Sequence, residues 1–266
     1  MGRPPDGAPA AVAAVSSASS PPAAADRSEE PEVDLDAELA AALAAPAVDA
    51  DVSVAVLDTT NGANASYGDG AYDTASIVKV DILAALLLRA QDEGRMLNGA
   101  EQARAEAMIT RSDNASATEL LRAVGGEDAL DTANERLGLT GTKAAHAWGL
   151  TRTTAADQVR LLRAVFGTAS ELSATSRAFL TELMGQVEAD QRWGVSAAGT
   201  GCALKNGWMP RTTTGLWDVN SIGRVESGGH TLLMAVLSRG HTTKEAGIAL
   251  VESVARAAAG VTGAAG

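Results

Sequence analysis

The sequence has one cysteine, Cys202, which excludes an internal disulfide and any multi-cysteine metal cluster. Histidine is nearly as scarce. His146, His230 and His241 stand in neither HxH nor HExxH spacing, so no metal site and no cofactor is expected. Aromatic residues make up only 3% of a chain that is 46% hydrophobic, so the core must come largely from Ala, Leu and Val. No apolar run reaches the roughly 18 residues that a spanning helix needs, and no transmembrane helix is expected. Positive charge is also short: 21 Lys and Arg stand against 33 Asp and Glu, a formal net charge of −12. With no basic stripe to neutralise phosphates, a nucleic-acid partner and an anionic membrane surface are both disfavoured.

What is present sorts into two parts. Residues 1–32 are rich in Ala, Pro and Ser and turn acidic from Asp26 onward, a composition that cannot bury enough apolar surface to order itself. They read as a disordered leader or tether, and residues 33–262 as one folded domain. Within the domain, hydrophobic periodicity predicts a helix over 35–45 and strands over 52–57 and 65–68. Residues 77–90 are apolar on almost every face, which predicts a buried central helix. Further helices are expected over 100–109, 115–124 and 127–137, then an irregular stretch over 138–153, then helices over 155–166 and 174–184. Three strands follow, over 202–208, 216–225 and 231–238, and a helix over 244–259. Strands near both ends with helices between them imply an α+β fold in which the terminal strands share one sheet, packed against a mainly helical region.

Three short segments carry residues suited to acyl transfer. Ser76 and Lys79 stand three apart at the start of the central helix, on one face and one turn from each other. Lys79 is flanked by Val78, Val80 and Ile82, so burial should lower its pKa toward that of a usable base. The same spacing also describes a Ser cap followed by a snorkelling lysine. Ser112-Asp113-Asn114 lies between two predicted helices, where such residues are also ordinary helix caps. Lys205-Asn206-Gly207 falls on or after a predicted strand. There Gly207 would let a substrate lie close to the backbone, while Asn-Gly is equally a hairpin-turn signal.

Taken in order, Ser-x-x-Lys, Ser-Asp-Asn and Lys-x-Gly form the motif set of class A β-lactamases and penicillin-binding proteins. From about Val48 to Ala259 the chain resembles that superfamily. The resemblance implies a β-lactamase-like (DD-peptidase-like) fold and an acyl-enzyme formed when Ser76 attacks a carbonyl while Lys79 accepts its proton. It further implies that Ser112 passes a proton to the leaving nitrogen. Asn114 would hold Lys79 and the substrate amide, and Lys205, Asn206 and Gly207 would bind substrate. The backbone N–H groups of Ser76 and Trp208 would form the oxyanion hole. The substrate would be a β-lactam or a peptidoglycan-type small molecule, met outside the cytoplasm by a secreted or tethered monomer.

The chain departs from the family pattern in three places. Asn206 stands where the family has Thr or Ser, whose hydroxyl contacts the substrate carboxylate; Arg211 and Arg224 are candidates to compensate. The segment between the first two motifs is short, which opens the cleft. The loop over 138–150 has no Glu, Asp or Asn, although the family uses a glutamate there to activate the deacylating water; His146 is its one side chain that titrates near neutrality. The departures imply slow deacylation, with a D-alanyl-D-alanine peptidase, an esterase or a penicillin-binding module that does not turn over as alternatives to a β-lactamase.

Overall fold

Continuous apolar runs such as Leu232–Leu237 build a sheet that must be covered on both faces, and the helices supply the cover. The computed structural model describes residues 1–2, 34–44 and 51–263. The chain divides into two units, Met1–Glu32 and Val33–Gly266. Apart from its first two residues, the leader anticipated over 1–32 lies outside the described residues, as does the last residue of the helix anticipated over 35–45. The second unit starts with α1 (Leu35–Leu43), β1 (Asp51–Asp58), β2 (Asn64–Tyr67), β3 (Tyr72–Asp73) and α2 (Val78–Asp92). It continues with α3 (Gly99–Thr110), α4 (Asn114–Val124), α5 (Glu127–Arg136), β4 (Arg152–Thr153), α6 (Ala155–Phe166) and α7 (Ala174–Gly185). It ends with β5 (Thr200–Pro210), β6 (Trp217–Ser227), β7 (His230–His241) and α8 (Lys244–Gly263).

The five longer strands form one antiparallel sheet in the order β2-β1-β7-β6-β5, so the first strands and the last ones meet as the sequence implied. Successive side chains take opposite faces. In β7, Leu233, Ala235 and Leu237 join the core shared with the helical region, while Leu232, Met234 and Val236 join a second core with α1 and α8. Both cores consist mainly of Ala, Leu, Val and Ile, in keeping with the small aromatic content. α2 runs through the first of them. Every residue from Val78 to Leu88 is buried, which explains why its sequence shows no polar face.

One finding differs from the sequence reading, and a second decides between alternatives that it left open. The stretch expected to be irregular over 138–153 contains a 3-10 turn, Trp148–Leu150, and strand β4, which pairs with β3 in a two-residue ribbon. Such strands are too short for a period of two to show. Asn206-Gly207 is not a hairpin turn: it lies inside β5, paired to Ser221 and Asn220 of β6. Among the described residues no helix is long and apolar enough to cross a membrane.

Candidate active site

Ser76 lies in a 3-10 turn, Ala75–Ile77, that leads directly into α2. Three residues on, the Lys79 ammonium position is inside the protein, with Nζ 2.9 Å from Ser76 Oγ, 2.7 Å from Ser112 O, 3.0 Å from Ser112 Oγ and 2.7 Å from Asn114 Oδ1. The first two motifs are thus brought together by their own side chains. Asp113 is the helix cap that the alternative reading expected: its carboxylate accepts from Ser116 N at the start of α4. Its neighbours Ser112 and Asn114 are left free to face Lys79.

Strand alternation supplies the third motif. In β5, Ala203 packs in the helical core and Leu204 in the α8 core, so Lys205 and Gly207 face the helical side while Asn206 and Trp208 face α8. Lys205 Nζ donates to Ser112 Oγ at 3.0 Å and to its neighbour's carbonyl, Asn206 O, at 3.0 Å. Gly207 lies against the Ser76 turn. A Cβ there would come within 2.7 Å of Ser76 N, so only glycine permits the approach. Trp208 is the next residue of this edge strand, which as a whole packs against the turn that carries Ser76.

Asn206 does not face this site, which corrects the expected substrate contact. Its Nδ2 donates to Gln191 O at 2.7 Å and Trp193 O at 2.9 Å on the α8 side, and its Oδ1 is buried without a partner. The one polar atom left over is an acceptor, the wrong kind for a carboxylate. Of the proposed substitutes, Arg211 is paired with Asp73 and Asp218, and Arg224 with Glu226 while lying over the Phe166 ring.

Burial pushes the Lys79 amine down to about 8, opposed by the nearby charge of Asp113. Of its four partners, Ser112 O and Asn114 Oδ1 can only accept, while the Ser76 and Ser112 hydroxyls can donate or accept. The neutral amine keeps two N–H groups for the two obligate acceptors and one lone pair that can take the Ser76 hydroxyl proton. Lys205 is pushed well below its ordinary range, first by burial and then by the charge of Lys79. Ser112 Oγ lies between the two lysines, within 3.0 Å of each. Its hydroxyl can therefore exchange protons with an amine on either side.

Two non-glycine residues, Ala75 (φ 47°) and Ser112 (φ 57°), have left-handed backbone, and both are at this site. That conformation is disfavoured for a residue with a Cβ and persists where the surroundings fix it. At Ser112 it turns both the carbonyl and the hydroxyl toward Lys79. Two other neighbours left no signal in the sequence. Trp148 places its ring 4.9 Å from Lys79 Nζ and donates from Nε1 to Thr118 Oγ1 at 3.2 Å. Asn220, buried on β6, reaches the backbone just before Ser76. The turn Trp148–Leu150 packs beside the turn that carries Ser76, and a Cβ at Gly149 would lie 3.8 Å from Ala75 Cα. His146 is exposed on that loop. Among the described residues no three His, Cys, Asp or Glu come together in a way that would hold a metal ion.

The fold is that of class A β-lactamases and proteins like them, a serine hydrolase architecture. A class A β-lactamase from Bacteroides cellulosilyticus DSM 14838 matches with a TM-score of 0.75 at 18% identity, over 88% of this chain and 100% of that one. PBP-A matches with a TM-score of 0.72 at 22% identity, over 86% of this chain and 96% of that one. A point mutant of PBP-A, in an acyl-enzyme complex with penicillin-G, matches with a TM-score of 0.69 at 22% identity, over 84% and 93%. The sequence itself matches the β-lactamase enzyme family over residues 101–261, more than half of the chain, and the chain belongs to that family. The matched stretch includes Ser112, Asn114 and Lys205; Ser76 and Lys79 precede it. No curated protein matches the chain.

Proposed function

We propose that this protein forms an acyl-enzyme through Ser76 with β-lactams or related amides and releases the acyl group slowly. The observation that carries the reading is the 2.9 Å contact between Lys79 Nζ and Ser76 Oγ, made by an amine held near neutrality. Lys79 takes the hydroxyl proton as Ser76 Oγ bonds to the carbonyl carbon. The oxyanion forms at the amides of Ser76 and Trp208. When the C–N bond breaks, Ser112 gives its proton to the leaving nitrogen and regains one from Lys79. Slow release follows from the loop over 138–150, which offers no carboxylate to activate water. The same observation favours a second reading, a D-alanyl-D-alanine peptidase or penicillin-binding protein. Both substrate classes are met outside the cytoplasm, so we propose that the protein acts there.

Intact-protein mass spectrometry after mixing with a penicillin, sampled early and late, tests the reading, with Ser76→Ala as control. An adduct on the wild type alone supports acylation at Ser76, and its persistence supports slow release. An adduct that forms equally on Ser76→Ala, or none on either protein, overturns it. Faster acylation of an acyl-D-Ala-D-Ala peptide than of penicillin would favour the second reading.

The lowered Lys79 pKa adds a pH dependence. Only the neutral amine accepts a proton, so the acylation rate should rise about tenfold from pH 6 to 7 and level off above about pH 8. Stopped-flow acylation across this range measures it. A flat profile would remove Lys79 as the base.

A further inference from the structure

We infer that Asn220 is a positioning residue that sets the oxyanion hole by gripping the backbone ahead of Ser76. The inference rests on Ser76 being the acylated nucleophile. Asn220 is completely buried on β6, directly across from Gly207 of β5, and on the same face of the sheet. The two residues act as a pair. Gly207 has no Cβ, so the Ser76 turn comes down onto the strand. Asn220 meets that turn with Nδ2, donating to Asp73 O at 2.9 Å and Thr74 O at 3.2 Å. Its Oδ1 accepts from Ser238 N at 3.1 Å, which ties the amide to β7 and fixes which end points at the turn.

The two carbonyls gripped are those immediately before Ala75, the residue with left-handed backbone. A residue with a Cβ holds that conformation only when its neighbours determine it; Arg211 holds the Asp73 side chain and Thr151 O the Thr74 N–H, and Asn220 is the side chain that holds the two carbonyls. The turn direction decides where Ser76 N points, and β5 decides where Trp208 N points. Asn220 joins the first to the sheet that contains the second. If the grip is lost, the two N–H donors no longer converge, and misplacement on the scale of 1 Å can cost about 100-fold in rate. Lys79 has no contact with Asn220 among its hydrogen bonds, so its function as a base should be untouched.

Two variants separate the donor role from mere packing. Asn220→Asp keeps size, shape and the acceptor for Ser238 N, but a carboxylate cannot donate to the Asp73 and Thr74 carbonyls. Asn220→Ala removes both functions. Acylation by a penicillin is followed by stopped flow across pH, with circular dichroism at the assay temperature to show that each variant is folded. The expected result for both is a plateau rate lowered about 100-fold, with the pH midpoint near 8 unchanged and the concentration giving half-maximal rate little changed. Wild-type rates in a folded variant would overturn the assignment, as would a displaced midpoint, which would mean that Asn220 acts through Lys79. If only the Ala variant folds, it decides alone; failure of both to fold would make Asn220 purely structural and overturn the assignment too. Should the wild type itself show no Ser76-dependent adduct, it is the acyl-enzyme reading that fails.

Discussion

Gly207→Ala should lower the acylation rate by about two orders of magnitude, because one methyl group would separate the two halves of the oxyanion hole. The new Cβ would lie 2.7 Å from Ser76 N, 2.8 Å from Thr74 O and 2.9 Å from Ile77 N, all of them backbone atoms. None can move alone. Thr74 O is held by Asn220 and also accepts from Ile77 N within the 3-10 turn. β5 must therefore back away, taking the Trp208 amide with it. Overpacking of this kind costs about 1–3 kcal/mol, so the variant should fold, with a lower urea midpoint. Gly260→Ala is the control: it is an exposed position in α8 with nothing within 4 Å of the new methyl. There the better helix propensity of Ala should stabilise the protein by up to about 1 kcal/mol and leave acylation unchanged. Rapid-mixing mass spectrometry gives the rates. Near-wild-type acylation in Gly207→Ala would show that the closeness of strand and turn does not set the site.

The contrast between these glycines shows what one sequence can convey. The lengths and types of the long elements were legible because each has a simple cause: α2 is apolar on all faces since it is buried on all faces, and β7 reads as a continuous apolar run since both its faces are covered. Ser76, Lys79, Ser112, Asn114 and Lys205 were legible as a set because three motifs in order restrict one another. Asn206 was misplaced because its side is fixed by the alternation of β5 between two cores, and that depends on which helices cover which face. Asn220 gave no local signal, since an Asn in a strand means little until the segment it faces, 147 residues away in the chain, is known. Trp148 belongs to the same class: its nearness to Lys79 comes from a 3-10 turn and a two-residue strand, both below the length at which periodicity can be read. Asp81 is different. An acid in the run Val-Lys-Val-Asp-Ile-Leu stands against apolar neighbours, but the apolar pattern of the helix passes over it, and only its complete burial gives it meaning.

Asp81→Asn should stabilise the protein, by a margin that grows with pH. Asp81 is completely buried in α2, and neither carboxyl oxygen has a hydrogen-bond partner among the described residues. Gln158 of α6 is close by without hydrogen-bonding geometry, its own Oε1 also unpartnered, and the neighbouring Asp157 adds negative charge. Burial, and to a lesser degree Asp157, pushes the Asp81 carboxyl up to about 7. The folded state then binds a proton that the unfolded chain releases near pH 4, so stability falls as pH rises from that value to about 7 and is level above it. Asn has nearly the same shape and never ionises. The advantage of Asp81→Asn should therefore increase by roughly 3 kcal/mol between pH 5 and pH 8, the free-energy equivalent of about two pKa units. Urea unfolding of both proteins at the two pH values measures this directly. An advantage that is the same at pH 5 and pH 8 would mean that the carboxyl is solvated or partnered in solution and titrates normally. An advantage that grows between pH 5 and pH 8 would identify Asp81 as an acid kept neutral by burial two residues from Lys79, and its ionisation near pH 7 as the step that weakens α2.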